Sequence, residues 1–370
     1  MVKISYAMNV LNGVPFIKYQ LDSIYKHAHE IIIIEGAYKK FAHASLGGRS
    51  KDETLSIIES YPDTQGKIKL ITREGFYDER KDMCNEFFKY ATGDVIWQVD
   101  VDEFYSDETH RYVKYLFCND EKLDQVSFKF FDYYGGFDYI IEGYDESLLD
   151  VVRVSRIFPG MSWLSQRPPT LELGGEELIP RKKIDGSAMF LKGHVMHNAT
   201  MLFDAQVQDK FEYYSVMWPA GVAGDQSWFQ LSWRNFELKF CVAGMLNALT
   251  FVVPRVSVLP EALSQMESDI SGGKWADYRF SSKKVSEKIS EDADYVRKIR
   301  AARAINSIKT STLKEFIPFA ITAASQVMSL PQSRDKSFMC FIFLKSIKSR
   351  ALNAFRLLIE YISSGLRLRK

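Results

Sequence analysis

The chain has 370 residues, a formal net charge of +1 and 46% hydrophobic residues. It is long enough for about two domains, and this balance argues against both a disordered chain and a general nucleic-acid binder. Cys84, Cys118, Cys241 and Cys340 are far apart and form no C-x-x-C pair, which argues against a zinc knuckle or a disulfide framework and fits a reducing compartment. The first residues lack the apolar stretch of a signal peptide, and no window holds the roughly 18 apolar residues of a membrane span, so the expected location is cytoplasmic.

Residues 3–10 predict a first strand, and Asn12-Gly13-Val14-Pro15 is the turn into a helix with Ile17, Leu21, Ile24, Tyr25 and Ala28 at helical spacing. Residues 31–34, four isoleucines between Glu30 and Glu35, form a second strand. Residues 54–60 predict a short helix ended by Tyr61-Pro62, residues 68–71 a strand, and residues 79–90 a helix stopped by Ala91-Thr92-Gly93. Val95, Ile96, Trp97 and Val99 make a further buried strand. Such alternation means a mostly parallel, Rossmann-like sheet covered on both faces. From Gln125 the pattern turns aromatic and irregular, and a Pro/Gly/Glu-rich loop follows at 167–180. A strand-like stretch over 187–192 leads into Gly193-His194-Val195-Met196-His197. A helix is expected over 205–216, a linker within 265–282 and a charged helix over 283–303.

The strand over 95–99 runs into Asp100-Val101-Asp102. Side chains at i and i+2 of an extended segment share a face, and ligands of open α/β sheets bind at the carboxyl ends of the strands. Two adjacent carboxylates repel unless a cation lies between them, and a hard divalent ion shared with diphosphate oxygens is the natural neutraliser. The competing reading is a helix start, because Ser106, Asp107 and Glu108 follow at once. Further features fall in the order a nucleotide-diphosphate site needs. Glu35 ends the second strand at the same sheet edge, where its carboxylate can accept hydrogen bonds from a base or ribose. Asp52, in the polar turn 48–54, either caps the next helix or reaches the nucleotide. Lys81 and Asn85 lie four apart beside the apolar Met83/Cys84/Phe87/Phe88 stripe, and Lys81 either meets a diphosphate or lies on a solvated helix face.

Taken in order, Glu35-Gly36, Ser50-Lys51-Asp52-Glu53-Thr54, Lys81 with Asn85, Ala91-Thr92-Gly93-Asp94 and Asp100-Val101-Asp102 resemble the GT-A glycosyltransferases, in particular the inverting, family-two-like enzymes. The resemblance covers about the first 105 residues well and residues 125–230 loosely. It implies a Rossmann-like GT-A sheet, a nucleotide-sugar donor, and a Mn²⁺ or Mg²⁺ ion held by Asp102, with Asp100 on the ion or the ribose. Many relatives add a later histidine as a third metal ligand. Here His197 is expected in that role ahead of His194, while His27, His29, His43 and His110 read as structural. Relatives often carry a His-Glu or Glu-Asp pair whose carboxylate deprotonates the acceptor. After Arg156-Ile157-Phe158 and Trp163, this chain has Gln166-Arg167-Pro168-Pro169 instead. The candidates for the base are therefore Glu172, Glu176, Glu177 and Asp225, since a base needs only a carboxylate within hydrogen-bond reach.

The expected organisation is a GT-A domain over residues 1–250, split into a nucleotide-sugar half (1–105) and an acceptor half (106–250), then a helical extension (251–330) and a basic tail (331–370). The aromatic residues from Tyr133 to Trp163 form either an acceptor platform or core. The tail holds nine Lys or Arg against two acids, a net of +7 that leaves −6 on the first 330 residues. In it Leu352, Phe355, Ile359 and Ile362 recur at helical spacing. A basic amphipathic helix of this kind either lies in an anionic membrane interface or docks on the core or a partner subunit. These readings imply a metal-dependent enzyme that moves a sugar to a saccharide or lipid-linked acceptor in polysaccharide or glycoconjugate synthesis, peripheral on the inner face of the cytoplasmic membrane and without a nucleic-acid partner. The rivals are a sugar nucleotidyltransferase, which needs a Gly-rich phosphate loop after the first strand, and a non-catalytic, membrane-attached subunit.

Overall fold

A computed structural model describes residues 2–143, 151–166, 169–178, 187–198, 241–243, 248–256, 258–275, 282–310 and 315–367, with the side chains of 129–130, 187–198, 241–243, 248, 309–310 and 351–367 left out of the description. The chain divides into two compact units, both discontinuous in sequence: Met1–Tyr133 with Leu149–Met217 and Val256–Arg279, and Tyr134–Leu148 with Trp218–Arg255 and Phe280–Lys370.

The first unit opens with four parallel strands, β1 (Ile4–Val10), β2 (Glu30–Glu35), β3 (Ile68–Ile71) and β4 (Val95–Gln98), in the order β3-β2-β1-β4. The crossovers carry helices α1 (Phe16–Tyr25), α2 (Thr54–Glu59) and α3 (Arg80–Tyr90). Such a sheet is covered on both faces, which is why β2 is an unbroken isoleucine run. Ile31 and Ile33 enter one core layer, with Ile17, Leu21 and Ile24 of α1 and Val113 and Phe117 of α4 (Asp107–Asn119). Ile32 and Ile34 enter the other, with Met83, Cys84 and Phe87 of α3.

Beyond β4 the sheet becomes mixed. Strand β6 (Leu123–Tyr133) does not join β4 directly, because β8 (Val151–Arg156) is inserted antiparallel to both. Strand β12 (Ser187–Asn198) continues the predicted stretch through both histidines; it pairs parallel with β6 and antiparallel with the two-residue β5 (Glu103–Phe104). Strands β9 (Met161–Gln166), β10 (Pro169–Leu173) and β11 (Glu176–Glu177) form a separate antiparallel sheet whose Met161, Trp163 and Leu171 pack in the α3 layer. Phe128, Tyr133 and Trp163 are no more than 3% exposed, so these aromatics are core and not an open acceptor platform. Trp97 stacks on Tyr6 and Phe128, and the Tyr6 hydroxyl meets His110 Nδ1 at 2.7 Å. Burial, with His27 beside it, holds His110 well below the ordinary imidazole range, so it is a neutral core residue as expected.

The linker expected within 265–282 begins instead in a helix, α5 (Glu261–Ser271), because Ala262, Leu263 and Met266 make a buried stripe. Asp269 of α5 accepts from the Tyr19 hydroxyl of α1 at 2.5 Å, and Glu261 pairs with Lys26 at 3.0 Å.

The second unit holds β7 (Tyr139–Glu142), β13 (Cys241–Ala243) and β14 (Ala248–Pro254), with β14 antiparallel to both others. Helices α6 (Ser282–Glu291), α7 (Tyr295–Thr310), α8 (Phe316–Met328) and α9 (Arg334–Arg367) follow. The Asn306 side chain of α7 takes both backbone groups of Leu249, each at 2.9 Å. The first half of α9 is docked: Met339 and Ile342 are buried, and Asp335 pairs with Lys298 at 2.6 Å. Among the described residues no helix is long and apolar enough to cross a membrane. The helix expected over 205–216 lies outside the described residues.

Glu30 bolts the amino end of this sheet. Its carboxylate accepts from Ser5 of β1 (2.6 Å), Lys69 of β3 (2.5 Å) and the Thr92 N–H (2.5 Å). Burial alone would push this carboxyl up, but those hydrogen bonds outweigh it and bring it down to about 2. A carboxylate whose folded pKa lies below its unfolded one adds stability that is complete above the unfolded value and vanishes as the pH falls through the folded one. Glu30→Gln is therefore expected to lose on the order of 3 kcal/mol at neutral pH. Urea denaturation at stepped pH checks this: the gap between variant and wild type should close between about pH 4.5 and pH 2.

Candidate active site

Asp100 and Asp102 occupy the turn between β4 and β5, at the carboxyl edge of the parallel strands. Their partners differ. One Asp100 oxygen accepts from Arg80 Nη2 at 2.9 Å and the other from Arg153 Nη2 at 3.2 Å. Arg153 comes from β8, and its side chain is only 7% exposed. It also grips the buried Glu103, through Nε to Oε2 at 3.0 Å and through a short Nη2 to Oε1 contact. The turn is tied from below, where Gln20 Nε2 donates to the carbonyls of Asp100 (3.0 Å) and Glu103 (2.7 Å). Burial pushes the Glu103 carboxyl up, with Asp100 and Asp102 reinforcing the shift and Arg153 opposing it. Burial likewise works against the Arg153 charge, but Glu103 and Asp100 more than offset it and hold the guanidinium above its usual value. Asp102 lies two residues on, 8% exposed. The helix-start role belongs to neither acid, since Ser106 Oγ caps α4 by accepting from the Thr109 N–H at 3.1 Å.

Backbone register brings the expected histidine to this turn. In the β12–β5 pair His197 stands opposite Phe104 and Asn198 opposite Glu103, so His197 is two positions past Asp102 on the neighbouring strand. His194 lies three residues earlier, where the β12–β6 register shifts. Among the described residues no group of three or more His, Cys, Asp and Glu side chains is assembled for a metal, and the His197 side chain is outside that description. A carboxylate such as that of Asp102 and an imidazole such as that of His197 are donor types that would suit Mn²⁺ or Mg²⁺. Asp100 is held by two guanidinium groups, those of Arg80 and Arg153.

The remaining candidates separate clearly. Glu35 is fully buried at the end of β2; its Oε1 accepts from the Ser50 N–H at 2.6 Å, while its Oε2 has no partner among the described residues. Asp52 is occupied, accepting from the Val14 N–H (3.1 Å) and from the N–H and hydroxyl of Thr54 (3.0 and 2.5 Å). Lys81 pairs with Glu79 at 3.2 Å, and the cation beside the acid turn is its neighbour Arg80. Helical phase carries that signal, because Arg80, Cys84 and Phe87 fall on one stripe. Asn85 engages the Trp163 backbone in both directions, at 2.6 and 3.3 Å, and so fastens β9 to α3. Glu172 on β10 accepts from Ser162 Oγ at 2.7 Å, Glu176 and Glu177 are exposed in β11, and Asp225 lies outside the described residues. Arg153 had no sequence signal, since only the antiparallel insertion of β8 brings it to the turn.

Three N–H groups of the turn after β1 are already engaged within the protein. The N–H groups of Asn12, Gly13 and Val14 already donate to Ser50 Oγ (2.9 Å), Thr54 Oγ1 (2.6 Å) and Asp52 Oδ2 (3.1 Å).

Residues 47–198 match the family model described as Glycosyl transferase family 2. That segment, 47–198, is less than half of the chain; β1, α1 and β2 precede it, and the mixed α/β sheet is consistent with a GT-A fold. Among solved structures it is similar to glucosyl-3-phosphoglycerate synthase from Mycobacterium tuberculosis in complex with Mn²⁺, UDP and glucosyl-3-phosphoglycerate (16% identity, 36% of this chain, 44% of that chain, TM-score 0.26). The same synthase is also solved with Mg²⁺ and UDP. A second similar structure is S. aureus TarS 1-349 (12% identity, 96% of this chain, 91% of that chain, TM-score 0.37). The chain spans less than half the length of the synthase it matches. No curated protein sequence matches it.

Removing one partner of a buried ion pair leaves the other charge uncompensated, at a cost of about 3–5 kcal/mol. Arg153→Met is expected to lose that much in a guanidinium chloride titration. Arg153→Lys should recover only part of it, since an ammonium lacks the fork that spans Asp100 and Glu103.

Proposed function

We propose that this protein is a metal-dependent glycosyltransferase that moves a sugar from a nucleotide-sugar donor to a saccharide or lipid-linked acceptor with inversion at the anomeric carbon. The observation that carries the reading is the Asp100-Val101-Asp102 turn at the carboxyl edge of a family 2 domain, with the His197 backbone on the strand paired beside it. A Mn²⁺ or Mg²⁺ ion held by Asp102 and His197 would supply charge neutralisation at the departing diphosphate. Arg80 and Arg153 fix Asp100 and add positive charge at the same edge. Glu35 Oε2, buried and unmatched, suits an N–H donor such as that of a nucleobase. In the reaction the acceptor oxygen bonds to the anomeric carbon as the bond from that carbon to the diphosphate oxygen breaks, and the hydroxyl proton passes to a carboxylate. A single in-line displacement inverts the centre. Glu172, Glu176, Glu177 and Asp225 remain the candidates for that carboxylate. The nucleotidyltransferase alternative is disfavoured by the turn after β1, whose N–H groups are already used.

The same reading extends to location. Phe341 and Leu344 of α9 are 61% and 63% exposed, with Lys345 and Lys348 also exposed beside them, and the tail carries a net +7. Apolar contact and attraction to anionic lipid act together in such a surface, which supports peripheral attachment to the inner face of the cytoplasmic membrane and an acceptor presented there.

Asp102→Asn is expected to abolish Mn²⁺-dependent binding of UDP or GDP as well as turnover, whereas Asp100→Asn is milder. His197→Ala should weaken the Mn²⁺ dependence more than His194→Ala. Isothermal titration of each variant with and without Mn²⁺ checks this, and wild-type affinity in Asp102→Asn would overturn the metal site.

Removing residues 351–370 and replacing Phe341 and Leu344 by Ser should release the protein from anionic vesicles while leaving its melting temperature within a few degrees. Co-sedimentation reads this out, and wild-type binding should fall as salt rises.

A further inference from the structure

Several buried polar atoms without a partner among the described residues gather at one place on the α3 side of the sheet. Gln98 of β4 is 1% exposed and Gln166 of β9 is 9% exposed. Gln98 Nε2 donates to Gln166 Oε1 at 2.9 Å, which leaves Gln98 Oε1 and Gln166 Nε2 unmatched. Asn9 of β1 donates from Nδ2 to Cys84 Sγ at 2.8 Å and leaves its Oδ1 unmatched. Gln98 Nε2 lies 3.9 Å from the same sulfur. Trp163 Nε1, in the same core layer, is unmatched as well. Cys84 is no nucleophile here, since burial pushes its thiol up to about 12.

An unmatched buried donor or acceptor is costly, and several in one place mark a partner that belongs there. The chemistry of that partner is constrained. Two of the open atoms are carbonyl oxygens, which repel phosphate or carboxylate oxygens, and two are N–H donors, which repel a cation. A hydroxyl group donates and accepts at once, and a ring bearing adjacent hydroxyls satisfies both kinds. Gln98 lies on the same strand as the acid turn, two residues before Asp100. A group bound at the amide pair is therefore next to a diphosphate held at Asp102.

We infer that Gln98 and Gln166, with Asn9, form the subsite for the hydroxyls of the transferred sugar and set which donor sugar is accepted. The inference rests on the glycosyltransferase reading and deepens it. Sites built to hydrogen-bond a hydroxyl discriminate strongly against ligands that lack it, because their buried polar groups are then left open.

The test is titration of wild type, Gln98→Met and Gln166→Met, in Mn²⁺, with UDP, GDP, UDP-glucose, UDP-N-acetylglucosamine and GDP-mannose. Wild type should bind one sugar conjugate more tightly than its bare nucleotide, and each variant should lose about tenfold of that advantage while its affinity for the bare nucleotide is unchanged. The retained nucleotide affinity also shows that the variants are folded. An unchanged sugar advantage in both variants would mean that the amides hold buried water, which overturns the subsite alone. Wild type that binds no nucleotide at all would overturn the glycosyltransferase reading and the subsite with it. Should Gln98→Met melt early, Gln166→Met, at the rim of the sheet, decides the question.

Discussion

Two carboxylates cannot be set side by side in a sheet edge without a cation among them, and Arg153 is the group on which the acid turn depends. Its guanidinium spans Glu103 and Asp100 while almost wholly withdrawn from water. That contact explains the interruption of the parallel sheet: β8 runs antiparallel between β4 and β6 and delivers the arginine from the far side of the turn. With Arg80 closing on the other oxygen, Asp100 has its geometry set by protein charge.

A second constraint shapes the nucleotide edge. In many phosphate-binding folds the N–H groups at the first strand-to-helix turn hold the anion. Here Ser50, Asp52 and Thr54 fill those groups and lock the α2 turn against the start of α1. The positive charge at this edge lies beside the neighbouring turn after β4, at Arg80 and Arg153.

The first hundred residues were legible because their apolar periods are strong and local: the isoleucine run of β2, the α1 stripe and the α3 stripe all form where the pattern puts them. The Asp pair was legible from its position at a strand end. Arg80, one residue before Lys81, was not singled out, although the buried Met83/Cys84/Phe87 face of the helix places it toward the acid turn. The inserted β8, the Arg153 clamp and the helix α5 against α1 were not legible, since each depends on contacts between segments far apart in sequence. The aromatic run after Gln125 left two readings open for the related reason that stacking on a sugar and packing in a core call for the same side chains. His197 was legible only through the resemblance, and what joins it to the turn is a backbone register that no local pattern encodes.

That register has a consequence for biogenesis. Phe104 and His197 are paired across about 90 residues of intervening chain. At ribosomal rates of roughly 5–20 residues per second, some 5–20 s separate the emergence of the acid turn from that of the strand that closes it. Through that interval β5 presents an edge that β12 has yet to cover. Long-range pairing of this kind is also the slow part of folding. The charges of the neighbouring acid turn help to keep that open edge from pairing with another chain in the meantime.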